Sequence, residues 1–234
     1  MISIDTVYQK VLALANKEQR GYITPQEYNL FANHAQMEIL EQYFYDLNQF
    51  SRVPGNSTEY SDMLSVLQEK LSVLEARVAG IDLTNTSNIF NFRTSTLTPN
   101  LYKLGTVTTT QGKEIEQVNN NEWYLMNLSP LTTPTISRPV YVNRANGIHL
   151  YPDTINEIDI SYIIKPNTVN WSYVVINNKP LYTPTGSVHF DLHASEETEL
   201  VYKILGLAGI AIEKPQLTQV ATGLQGAAIQ QEKQ

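Results

Sequence analysis

The chain has 234 residues, of which 42% are hydrophobic and 17% charged, with a net charge of −7 and no cysteine. That length can bury a substantial core, as one large domain or two small ones. The acidic balance argues against broad basic patches that grip phosphate backbones, and the missing thiols exclude disulfides, thiolate zinc sites and a cysteine nucleophile.

The charge is uneven: residues 1–82 hold six Lys/Arg against eleven Asp/Glu. The N-terminal part is therefore the acidic one. Met1-Ile2-Ser3-Ile4-Asp5 lacks the basic start and long apolar run of a signal peptide. No uncharged apolar run reaches the ~20 residues that span a bilayer. A soluble protein made in the cytoplasm, with no membrane partner, is expected.

Ile4, Val7, Tyr8, Val11 and Leu12 recur at helical spacing, which predicts a first helix ending near Gly21. Thr24, Pro25 and Glu27 are the cap, first position and third position of a capping box. They open a second helix, 25 to about 47, with Tyr28, Phe31, Ala32, Ala35, Ile39 and Tyr43 on one stripe. Val53-Pro54-Gly55-Asn56-Ser57 reads as a loop. A third helix is predicted over 59–79, where Leu64, Leu67, Leu71, Leu74 and Val78 step by three and four. That stripe suits a bundle core better than an independent coiled coil, because it covers barely two heptads. Gly80 ends it.

From Ile81 the pattern turns to Thr, Asn, Ser and Pro. Strands are predicted at 89–93, 102–108, 115–118, 139–143, 148–151, 157–164 and 188–192, with Asn146-Gly147 as a hairpin turn. Residues 119–125 suit a short helix or an ordered loop. Helix returns with Ser195 as cap and Glu196 and Glu197 in the first turn, where the helix dipole favours negative charge. Leu200, Val201, Ile204 and Leu205 form its stripe, and Gly206 to Gly209 closes it. Pro215 opens a last helix through Leu217, Val220, Ala221 and Leu224, which fades into a polar tail from Gln225, ordered by a neighbour.

The predicted fold class is α+β. Helices of 1–80 and 194–234 form one bundle, and a mostly antiparallel β lobe of 81–193 is inserted between them.

Residues for chemistry are scattered. In His189-Phe190-Asp191-Leu192-His193 an extended strand puts the two histidines on one side, yet about 13 Å apart at Cα. One ion needs its ligands within about 2 Å, so no metal site is expected there. His34 and His149 have no companions at ligand spacing. Asp153, Glu157 and Asp159 are close in sequence, but paired carboxylates act only at a defined separation in a cleft. No phosphate-binding glycine loop or nucleophile elbow is present. Catalytic residues, cofactors and metals are all expected to be none, and the chain is not expected to be an enzyme.

Tyrosine is abundant, fourteen in all. Tyr43, Trp171 and Tyr173 are candidate interface anchors, and Leu224 and Ile229 on the last helix join them. Trp171 and Tyr173 would share a face if extended. That pair allows three readings: a core edge, an interface, or a sugar-stacking platform.

Several phrases carry a resemblance: Gly21-Tyr22-Ile23-Thr24-Pro25-Gln26-Glu27-Tyr28-Asn29-Leu30-Phe31, Ser129-Pro130-Leu131-Thr132-Thr133-Pro134-Thr135 with Pro139-Val140-Tyr141, Ile148-His149-Leu150-Tyr151-Pro152, and Ser195-Glu196-Glu197-Thr198-Glu199-Leu200-Val201-Tyr202-Lys203-Ile204-Leu205. Together with the helix–β–helix order, they resemble virion structural proteins of crAss-like and related tailed bacteriophages, in particular the head-to-tail connector (ring or adaptor) proteins of short-tailed phages. The resemblance implies a homo-oligomeric ring, commonly a dodecamer, beneath the portal protein and touching other tail or ring proteins. Genomic DNA would pass through its channel without sequence-specific binding. It also implies a location in the virion after assembly in the host cytoplasm, with the end after Leu224 reaching the portal. The alternative is a minor tail protein or a receptor- or glycan-binding virion protein.

Overall fold

The computed structural model describes residues 1–15, 23–51, 58–84, 86, 88–211 and 215–232. The chain runs through α1 (Ile4–Ala15), α2 (Pro25–Ser51), α3 (Thr58–Ser72), β1 (Glu75–Asp82), β2 (Ile89–Phe90), β3 (Leu101–Thr109), β4 (Glu116–Gln117) and α4 (Asn120–Asn127). It continues through β5 (Val140–Arg144), β6 (Gly147–Tyr151), β7 (Glu157–Ile164), β8 (Tyr173–Ile176), β9 (Lys179–Tyr182), α5 (Glu197–Ala211) and α6 (Pro215–Glu232). Helices at both ends and a mostly antiparallel β region between them make the fold α+β.

Two compact units divide the chain: Met1–Val73 with Pro166–Gln234, and Leu74–Lys165. Both divisions come earlier than the 80/81 and 193/194 boundaries read from composition. The first moves because α3 stops at Ser72 and the expected helical stripe does not continue. Leu74 lies beyond the helix and Val78 is in β1, paired with Ile160 of β7. The second moves because residues 167–171 are hydrogen-bonded to α2, as described below. The expected end of the first helix near Gly21 and the loop at 53–57 lie outside the described residues.

In the helical unit, α5 packs against α1, α2 and α6, and α2 against α3. The capping box of α2 is formed reciprocally. Glu27 N donates to Thr24 Oγ1 at 3.3 Å, and Thr24 N donates to Glu27 Oε2 at 3.0 Å. Thr24 Oγ1 also donates to Glu27 Oε2 at 2.7 Å, and this bond, then the one from Thr24 N, holds the Glu27 carboxyl below its ordinary pKa. Tyr28, Ala32, Ala35, Ile39, Leu40 and Tyr43 make the buried face of α2; Phe31, expected on that stripe, is only half-buried. Helix α5 does not close over Gly206 to Gly209 but runs to Ala211. An added Cβ on Gly206 would sit 3.9 Å from Ala221 Cβ, an ordinary contact that places this position of α5 against α6. Ser195 is not the cap of α5. It lies in a 3-10 turn, Ala194–Glu196, whose capping residue is His193. Helix α6 continues to Glu232, so the stretch from Gln225 is helical rather than a fading tail.

The β unit holds two sheets, β1-β7-β3 and β2-β6-β5-β4, antiparallel except for the β4–β5 pair. Both feed one core: Ile81, Val107, Ile158, Ile160 and Tyr162 from the first, Phe90, Tyr141, Ile148 and Leu150 from the second. Strand alternation sends Val140 and Val142 of β5 to the opposite face, where Trp123 and Met126 of α4 cover them. Residues 119–125 thus resolve as helix α4, with Glu122 Oε2 accepting from Asn119 N at 2.9 Å.

Candidate interaction surface

Three amides on one face of α2 hold an extended segment. Asn29 Oδ1 accepts from Trp171 N at 2.8 Å, and Asn29 Nδ2 donates to Trp171 O at 3.3 Å. One turn on, Asn33 exchanges the same pair of bonds with Val169, both at 2.9 Å. Gln36 Nε2 donates to Asn167 O at 3.0 Å, and its Oε1 accepts from Asp191 N at 3.2 Å. The side chains act as a substitute strand, satisfying backbone groups that no sheet reaches. Spacings of four and three put them on one helix face. That spacing was visible in the sequence, but its meaning depends on a segment more than 130 residues away.

This ladder fixes Trp171, which is only 2% exposed. Its Nε1 donates to Asp5 Oδ1 at 2.9 Å. Its ring lies 4.2 Å from Tyr8, 5.7 Å from Tyr173 in a stacked arrangement and 5.9 Å from Tyr182, centroid to centroid. The ring is covered on all these sides, so it is a core anchor and offers no platform to a sugar.

The hairpin β8–β9 grows from that anchor. Tyr173 pairs with Tyr182, Val174 with Leu181, Val175 with Pro180 and Ile176 with Lys179. The loop is Asn177-Asn178, with φ of 52° and 61°, the two positive values that a type I′ turn requires. Tyr173, Val175, Pro180 and Tyr182 share the face anchored to Trp171. Val174, Ile176 and Leu181 share the other, with Lys179. Val174, Ile176 and Leu181 are each 51–52% exposed, and the hairpin is a sheet of two strands only. Sequence reading missed this element, although Asn-Asn between two apolar runs was its signal.

A second apolar surface in the helical unit is a groove of about 340 Å³ between α1 and α5, lined by Lys10, Ala13, Leu14, Thr198, Val201 and Tyr202. Lys10 Nζ is 2.6 Å from Glu197 Oε1 at its rim. Also on α5, buried Lys203 lies 3.0 Å from Glu38 and 3.8 Å from Glu199. In the β unit, Tyr124, Leu125, Leu128, Leu131 and Ile136 form a separate exposed apolar stretch.

Of the five candidate anchors, Trp171 and Tyr173 stack on each other. Tyr43 is buried, with Lys70 Nζ over its ring at 5.9 Å, and Lys70 pairs with buried Glu196 at 2.7 Å. Trp171 is core, and Tyr173 is half-buried against it. Leu224 is exposed on α6, and Ile229 lies on the same helix with its side chain outside the described residues. The sequence pattern located aromatic residues but not their depth, which depends on what packs over them.

Several of the polar candidates are engaged locally. Phe190 and Leu192 are buried between outward-facing His189, Asp191 and His193, so the alternation read from sequence holds. The segment forms single bridges, Ile2 to Phe190 and Asn170 to Val188, instead of the strand expected at 188–192. His189 Nδ1 accepts from Ile4 N, Asp191 Oδ2 accepts from Asn167 N, and His193 Nδ1 accepts from Ser195 N. No group of three metal-ligating side chains gathers among the described residues. His149 Nε2 lies 2.7 Å from Asn146 Oδ1. Burial, with Arg144 nearby, lowers its pKa.

Asp153 and Glu157 are exposed, while Asp159 is tied to β1. Its Oδ1 accepts from Gly80 N at 2.9 Å and its Oδ2 from Arg77 Nη2 at 2.8 Å. The Gly80 bond and then the Arg77 bond hold its pKa below the ordinary value. A carboxyl depressed on folding stabilises the fold above its unfolded-chain pKa and loses that contribution as pH falls through the folded value. The β unit is therefore expected to weaken on acidification below the usual aspartate range. Asp159→Asn should flatten that pH dependence, read as urea midpoint against pH; an unchanged profile counts against this role.

The chain matches no protein-family model and no curated protein. No helix among the described residues is long and apolar enough to cross a membrane.

Proposed function

We propose that the chain is a non-enzymatic structural subunit of a tailed-phage virion. In this reading it forms an oligomeric ring in the head–tail connector below the portal and lines the DNA channel. The observation that carries the reading is the inserted architecture. Helices from both ends of the chain build one unit, and residues 74–165 form a separate β unit between them. A chain arranged this way holds one body in a ring while a second body is free for other neighbours.

Charge supports the same reading. The residues of the helical unit include nine Lys/Arg against fifteen Asp/Glu, and those of the β unit seven against eight. An acidic wall repels phosphate, which lets DNA slide without sticking. The phrase-level resemblance at residues 21–31, 129–141, 148–152 and 195–205 adds to it.

The test is the mass of the purified protein, alone and mixed with the portal protein of the same phage. A closed ring, or one that closes on the portal, is expected. A stable monomer that never joins portal-containing particles overturns the proposal.

A further inference from the structure

Asparagine is among the thermolabile residues. It loses its side-chain amide most readily before glycine, because the next main-chain nitrogen attacks the carboxamide carbon and glycine brings no side chain to hinder it. Asn146-Gly147 is the one Asn-Gly pair in the chain. It lies at the β5–β6 turn, where Arg144 pairs with Gly147 and Ala145-Asn146 forms the loop. Asn146 is exposed to water. Asn177-Asn178, the turn of the β8–β9 arm, is also exposed, but each of the two is followed by a residue with a side chain.

The fold adds a donor to this turn. His149 Nε2 lies 2.7 Å from Asn146 Oδ1. A carboxamide oxygen only accepts, so Nε2 carries the hydrogen. His149 is half-buried on β6, and its main chain is held between Ile89 of β2 and Val142 of β5. An N–H aimed at a carboxamide oxygen stabilises the negative charge that develops there when a nucleophile adds to the carbon.

We propose that Asn146 is a self-modification site, converted without an enzyme to aspartyl and β-linked isoaspartyl forms, with His149 as hydrogen-bond donor to the reacting carbonyl. Gly147 N forms a bond to Asn146 Cγ, giving a tetrahedral centre whose Oδ1 oxyanion is stabilised by the His149 Nε2–H. The Cγ–Nδ2 bond then breaks, and ammonia leaves with the proton from Gly147 N. The five-membered imide that remains takes up water at either carbonyl. Opening at Cγ gives the aspartyl chain, and opening at the main-chain carbonyl gives the β-linked chain. One water is consumed, one ammonia is released, and nothing is oxidised or reduced. The aspartyl product gives the turn a new negative charge against His149. The β-linked product adds a main-chain carbon just before Gly147, where β2 leaves no room even for a Cβ. The pairs between β2 and β6 should therefore weaken in that form. This site stands independently of the connector reading.

The full-length protein is incubated at neutral pH and digested, and the peptide carrying Asn146 is followed by mass and by isoaspartate assay. Loss of the amide at Asn146 in a growing fraction of chains is expected, while Asn177 and Asn178 keep theirs. His149→Phe should slow the folded chain at least about threefold, less than the ~100-fold that a positioned proton donor supplies in an enzyme. His149→Gln keeps an N–H and should retain the wild-type rate. In urea above the unfolding midpoint, wild type and His149→Phe should convert at one rate, which separates the hydrogen bond from any change in folding. No conversion at Asn146, or equal conversion at Asn177, overturns the site. A native His149→Phe chain that is not slower, a slow His149→Gln, or a difference that persists in urea overturns the role of His149. The β-linked form, separated from unmodified chains, should unfold at lower urea; an equal midpoint overturns its effect on β2.

Discussion

Trp171→Ala should lower the stability of the helical unit by about 3–5 kcal/mol, the usual cost of emptying a buried aromatic site. The cavity would open between Tyr8, Tyr173 and Tyr182, and Asp5 would lose its indole donor. The backbone bonds from Asn29 would survive, since they reach Trp171 N and O and not the ring. Collapse of the cavity is therefore restrained, which keeps the cost toward the upper end. Trp171→Phe retains most of the volume and loses the bond to a carboxylate, an expected cost of about 1.5–3 kcal/mol. The measurement is urea unfolding followed by far-UV circular dichroism, because α1, α2, α3, α5 and α6 all belong to this unit. Wild-type stability in Trp171→Ala, coupled with a loss of oligomers, would return Trp171 to the role of a surface anchor.

Gly147→Ala should disrupt the β unit by a comparable amount. Gly147 opens β6 with φ at 127°, a conformation that side-chain-bearing residues rarely adopt. A Cβ built there would lie 2.2 Å from Phe90 O and 2.8 Å from Asn91 Cα. These are backbone atoms, so no rotamer change relieves the overlap. Strand β2 must move away, breaking the pairs Ile89 to His149 and Phe90 to Ile148 and drawing Phe90 from the core. Backbone strain of about 1–3 kcal/mol and repacking of similar size combine to about 3–5 kcal/mol. Each unit contains one of the two tryptophans. In a Trp171→Phe background, Trp123 fluorescence reads the β unit alone. An alanine variant with the parental urea midpoint would show that the β2–β6 approach is not constrained as described.

The hairpin around Gly147 illustrates what local sequence carries and what it leaves open. Asn146-Gly147 correctly marked a reversal, but the paired residues are Arg144 and Gly147, so the loop is Ala145-Asn146. The glycine is required one position later, by β2, a strand from elsewhere in the chain. The arm at 173–182 had its signal in Asn177-Asn178 and still went unread. Its strands are short and the run contains Pro180, which demotes a strand in any purely local reading.

Sequence alone determined what short-range geometry governs. The Thr24–Glu27 box set the start of α2, because donor and acceptor lie three residues apart. The alternation of Ile158, Ile160 and Tyr162 with polar neighbours marked β7, whose bounds in the fold are the ones that pattern predicts. Tertiary structure decided the rest. The heptad-like leucine stripe ran past the helix that carried it, because Val78 lies in β1 and pairs with Ile160 of β7. Trp171 became core because Asn29, Asn33 and Gln36 captured the backbone before it, a recognition between segments that no window of neighbouring residues contains.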